Sequence, residues 1–124
     1  MSQYQTVFTI PYESLGKNSF SNPRFEKVLN QAIEKVFSKL GRTVKHAFYQ
    51  VLKNNYGVHK SEIAKELVIF ERALETTFGA ASTLVEIQII AELQRTTKRF
   101  GFTSNKNQLL FSDYLVTLKA ELQP

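Results

Sequence analysis

Each of the five glycines in this chain follows a bulky apolar residue: Leu15-Gly16, Leu40-Gly41, Tyr56-Gly57, Phe78-Gly79 and Phe100-Gly101. A residue without a Cβ is favoured just past a helix end, where a neighbouring apolar side chain folds back onto the last turn. The last four of these pairs divide the chain into segments of about one helix each. A chain punctuated in this way is constrained to a bundle of short helices.

The segments carry the periodicity that such a bundle requires. Asn22-Pro23 is a helix start, with a capping side chain followed by a proline in the first turn. From there Phe25, Val28, Leu29, Ala32, Ile33, Val36, Phe37 and Leu40 recur at three and four, and Gly41 ends the run. A second helix is expected over about Arg42–Tyr56, with Val44, Ala47, Phe48, Val51, Leu52 and Tyr56 on one stripe and Val58 packing back as a cap contact. Ser61 is read as the cap of a third helix over about Glu62–Phe78, with Ile63, Leu67, Phe70, Leu74 and Phe78 as its seam.

A fourth helix, about Ala81–Phe100, is apolar around nearly its whole circumference through Leu84, Val85, Ile87, Ile89, Ile90, Ala91 and Leu93. Such a helix is covered by its neighbours or by a second subunit. A fifth, about Asn107–Leu122, places Phe111, Tyr114, Leu115, Leu118 and Leu122 on one stripe. Ahead of all five, Thr6 to Ile10 is β-branched and aromatic and reads as a short extended arm, followed by a loop through Ser21. The expectation is one all-α domain over 1–124: an arm and loop at 1–22, then a compact bundle of about five helices at 23–123.

The chemistry is sparse. There is no cysteine among the 124 residues, which removes disulfides, thiolate metal sites and a cysteine nucleophile. His46 and His59 are too far apart in sequence to share one turn of helix, and each reads as a structural or surface residue. Glu62 with Glu66, and Glu71 with Glu75, read as solvated positions on an amphipathic helix. Glu86, between Val85 and Ile87, would need hydrogen-bond partners if it faced inward; with Gln88 it is read instead as a polar strip facing solvent. No phosphate loop or nucleophile elbow is present, so no catalytic residue, cofactor or metal is expected and the chain reads as non-enzymatic. A small enzyme or ligand carrier would need a polar-lined pocket that the sequence does not display.

The net charge of +5 is uneven: +6 over residues 1–60, −4 over 61–94 and +3 over 95–124. Lys35, Lys39, Arg42 and Lys45 straddle the Gly41 corner, and Arg95, Lys98 and Arg99 fill the end of the fourth helix. These seven are the candidate contacts for a nucleic acid or an acidic partner. His59 to Leu67 has the Ile-Ala-x-x-Leu spacing that opens a helix-turn-helix, but Val68 to Leu74 supplies no turn, and the helix that would read DNA carries Glu71 and Glu75. With no secretory leader and no membrane-length apolar run, a cytoplasmic location without membrane contact is expected.

Leu40-Gly41, Val44-Lys45, Tyr49, Leu52, Tyr56-Gly57-Val58, Ile63, Phe70, Ala73-Leu74, Phe78-Gly79 and the stretch from Leu84 to Glu86 resemble the small archaeal output domain named from ammonia-oxidising archaea. The resemblance spans roughly residues 25–95. It implies a compact helical module, found alone or joined to signalling domains, without a settled activity, and it brings no catalytic or binding residue. The expectation is therefore an interaction module of signalling or regulation that binds a protein partner or itself as a homodimer; the alternative is a nucleic-acid-binding regulator using the Lys35–Lys45 corner.

Overall fold

The computed structural model describes residues 22–98 and 111–122. Among them lie five α-helices, α1 (Pro23–Leu40), α2 (Arg42–Tyr56), α3 (Leu67–Phe78), α4 (Ser82–Thr97) and α5 (Phe111–Glu121), with 3-10 turns at Lys60–Lys65 and Gly79–Ala81 and no strand. The all-α bundle is as the glycine punctuation implies. The extended arm, Gly101 and Arg99 lie outside the described residues.

Helix α1 begins as its sequence dictates. The Phe25 amide donates to Asn22 Oδ1 at 3.1 Å, and Asn22 Nδ2 donates to the carbonyl of Lys119 at 2.9 Å, tying the start of α1 to the end of α5. Phe25, Leu29, Ala32, Ile33, Val36 and Phe37 are buried, as the spacing requires. Helix α2 ends in the left-handed cap expected at Gly57, with φ 69° and ψ 26°. Val58, just beyond, is buried and donates its amide to Leu52 O at 3.1 Å, folding the chain back over the last turn of the helix. Its inward stripe is narrower than the sequence suggested: Phe48 and Leu52 are buried, whereas Ala47 faces solvent.

The third helix departs from expectation. Residues 60–65 form a 3-10 turn that stops at Glu66 (φ −129°, ψ 60°), and the α-helix begins only at Leu67. Ser61 is exposed and does not cap it; instead His59 donates its amide to Glu62 Oε1 at 2.8 Å. Val58, Ile63, Ala64 and Leu67 are all buried around the break.

Helix α1 packs chiefly on α4 and α2 chiefly on α3. An aromatic chain runs through the core: Phe37 meets Phe48 edge-on at 4.9 Å between ring centres, Phe48 meets Phe70 at 5.8 Å, and Phe70 meets Phe111 at 5.7 Å. Offset and edge-on rings of this kind add to the stability given by area burial alone. These contacts join α1, α2, α3 and α5 into one core. No helix among the described residues is long and apolar enough to cross a membrane.

Helix α4 ends at Thr97, with Lys98 in the left-handed conformation (φ 61°, ψ 28°), short of the expected Phe100. Its core face is Val85, Ile89 and Leu93, with Ile90 half-buried. Leu84 and Ile87 remain 63% and 55% exposed, and Ala91 is exposed beside them. The five described helices thus leave one apolar stripe of α4 uncovered.

Candidate functional site

The basic corner is partly neutralised by the protein itself. The ammonium of Lys45 pairs with Glu34 on α1, and the Tyr49 hydroxyl donates to the other oxygen of the same carboxylate at 3.0 Å. Lys45 acts first among the influences on the Glu34 carboxyl and, with Tyr49, holds it below the ordinary carboxylate range despite some burial. Lys35 lies 3.3 Å from Glu92, whose second oxygen takes a 2.6 Å hydrogen bond from Arg95 one turn further along α4. Of the seven expected contacts, Lys39, Arg42 and Lys98 are exposed and make no ion pair among the described residues; Lys35, Lys45 and Arg95 are engaged. Lys45 ties α2 to α1 and Lys35 ties α1 to α4, while Arg95 pairs within α4.

Glu92 is the functional-looking residue that the sequence reading missed. It is only 4% exposed, on the α1-facing side of α4. Burial pushes its carboxyl upward, but the hydrogen bonds from Arg95 and Lys35 outweigh this and leave it below the ordinary range. The signal was available: Glu92 lies three residues after Ile89 and seven after Val85, on the core stripe, with Arg95 three residues on.

Glu86 also differs from expectation. It is half-buried rather than part of a solvated strip, while Gln88 is exposed as supposed. Its carboxylate meets those of Glu71 and Glu75 on α3, with one oxygen of each lying within 4.8 Å of the others. Burial first, then the like charges of Glu71 and Glu75, push the Glu86 carboxyl up to about 7. None of the three has an ion-pair partner among the described residues.

The remaining candidates are plain. His46 and His59 are both exposed, and neither joins a metal-like group among the described residues. A shallow groove of about 600 Å³ lies between the end of α2, α3 and the start of α5, lined by Tyr56, Val68, Glu71, Arg72, Glu75, Thr76 and Ser112. Tyr56 and Thr76 close one side of it through a 2.9 Å hydroxyl-to-hydroxyl hydrogen bond. The arrangement offers carboxylates, a phenol and a guanidinium on an open surface, with no nucleophile paired to a base.

No protein-family model matches the chain, and no curated protein or solved structure shows a significant similarity to it.

Proposed function

We propose that this chain is a non-enzymatic interaction module, a signalling or regulatory output domain, that docks a protein partner on the outward stripe of α4. The observation that carries this reading is the pair Leu84 and Ile87, 63% and 55% exposed on a helix whose Val85, Ile89 and Leu93 are in the core. About two turns of the α4 surface present Leu84, Ile87 and Ala91 at helical spacing, the pattern by which one helix receives another. The resemblance of residues 25–95 to the archaeal output domain supports a module of this kind. A homodimer through the same stripe is the self-pairing form of the proposal, and a cytoplasmic setting accords with it.

A photo-crosslinking residue placed at position 87, and separately at the exposed Gln31 on α1, tests the reading in cells expressing the chain. The expected result is one discrete adduct from position 87 and none from position 31. No adduct from position 87, or the same ladder from both positions, would overturn it. An adduct of twice the chain mass would identify a second copy as the partner.

A nucleic-acid-binding regulator is the second reading, supported by Lys39 and Arg42 on either side of Gly41, exposed and without an ion pair among the described residues. The engagement of Lys35, Lys45 and Arg95 with the protein's own acids weighs against it, because each would have to leave a carboxylate to meet a phosphate.

A further inference from the structure

The chain carries a net charge of +5, yet among the described residues three carboxylates lie together at the α3–α4 seam with no ion-pair partner. Two other acids have their own cations: Glu34 has Lys45, and Glu92 has both Lys35 and Arg95. The unpaired three adjoin the uncovered apolar stripe. Ile90 is four residues past Glu86 and three past Ile87, so it joins the acidic edge to the apolar one on neighbouring turns of α4. An apolar stripe bordered on one side by uncompensated negative charge is complementary to one class of surface.

Resting on the docking reading above, we infer that the α4 stripe receives an amphipathic helical segment of another protein with lysine or arginine along one edge of its apolar face. Leu84 and Ile87 take the apolar residues, and Glu71, Glu75 and Glu86 take the cations. A second copy of this chain fits less well. A twofold pair through this stripe uses the same patch on both copies, so both would bring the same uncompensated carboxylates to the interface. Like charges brought together in an interface oppose association and select against that partner.

The test uses two synthetic helices with identical leucine stripes, one with lysine and one with glutamate at the flanking positions. Their binding to the full chain is followed by fluorescence anisotropy at two salt concentrations. The lysine helix should bind more tightly than the glutamate helix by roughly tenfold or more, in spite of the net positive charge of the protein. Replacing Glu71, Glu75 and Glu86 together by glutamine should remove that preference and its salt dependence. Leu84→Ser with Ile87→Ser should weaken both helices.

Equal binding of the two helices, or a lysine preference that survives the glutamine variant, would overturn the charge assignment while leaving the docking stripe intact if the serine variant still weakens binding. Failure of both helices to bind would remove the stripe as a docking site altogether. A dimer mass by light scattering that is lost in the serine variant would make a second copy the occupant, against the cationic partner. Circular dichroism melts of both variants, whose substitutions are at exposed or half-buried positions, confirm that each remains folded.

Discussion

Gly57 shows what one residue contributes when only its backbone matters. At φ 69° it caps α2, and a Cβ added there would meet nothing within 4 Å. The cost of Gly57→Ala is therefore purely conformational, about 1 kcal/mol, and a thermal melt should show a loss of several degrees. An unchanged melting temperature would mean that α2 does not depend on this cap. Glu86 makes the opposite case, in which the side chain carries the effect. Its folded carboxyl titrates near 7 against 4.5 for an ordinary glutamate. Between those values the folded state binds more protons than the unfolded one, so stability falls as pH rises through the window, and the loss is complete above it. Solvent screening at a half-buried site reduces this to about 1 kcal/mol. Glu86→Gln should raise the melting temperature at pH 8 and leave it nearly unchanged at pH 4.5. An equal gain at both would trace the effect to something other than charge. Glu34 and Glu92 behave in the reverse sense, because their lowered values contribute stability that is lost only as pH falls below the ordinary carboxylate value.

At the scale of the element, boundaries written in local chemistry were legible and those set by tertiary packing were not. Asn22-Pro23 and Gly41 delimit α1 because caps act within one turn, and the α2 bounds follow from Gly41 and Gly57 for the same reason. The split at Glu66 left no such mark. The residues Ile63, Leu67, Phe70 and Leu74 keep a helical seam whether or not the chain breaks, so the periodicity carries no sign of the break. The carboxylate group was equally hidden, since Glu86 meets Glu71 and Glu75 only once α3 and α4 are side by side. Glu92 stood between these cases, readable from its place on the Val85–Ile89 stripe but obscured by its charge. The start of α1 offers a test of how caps join elements. Asn22→Ala removes both the bond to the Phe25 amide and the bond to the Lys119 carbonyl, and should cost roughly 1–2 kcal/mol. Asn22→Ser keeps a capping oxygen but cannot reach α5 in the same way, and should lie between the two. A serine variant as unstable as alanine would show that the link to α5, rather than the cap, carries the effect.

At the scale of the whole molecule, the charge asymmetry read along the chain becomes a division of labour in space. From the positive excess of residues 1–60, Lys45 meets Glu34 across the α1–α2 contact and Lys35 meets Glu92 across the α1–α4 contact, so these two hold helices together. The negative excess of residues 61–94 is left in part unpaired at the α3–α4 seam, beside exposed Leu84 and Ile87. That distribution makes the two readings of function separable by one titration against short duplex DNA at two salt concentrations. A phosphate-binding corner would give an affinity falling steeply with salt, by roughly one power of salt for each contact made. With Lys35, Lys45 and Arg95 already engaged, Lys39 and Arg42 are the exposed cations left at the Gly41 corner among the described residues, so the expected outcome is weak binding that vanishes at physiological salt. Tight binding that persists there and is lost in Lys39→Ala with Arg42→Ala would reverse the order of the two readings. It would also require the Lys45–Glu34 and Lys35–Glu92 pairs to open on contact, which Glu34→Gln and Glu92→Gln would then favour by strengthening the complex.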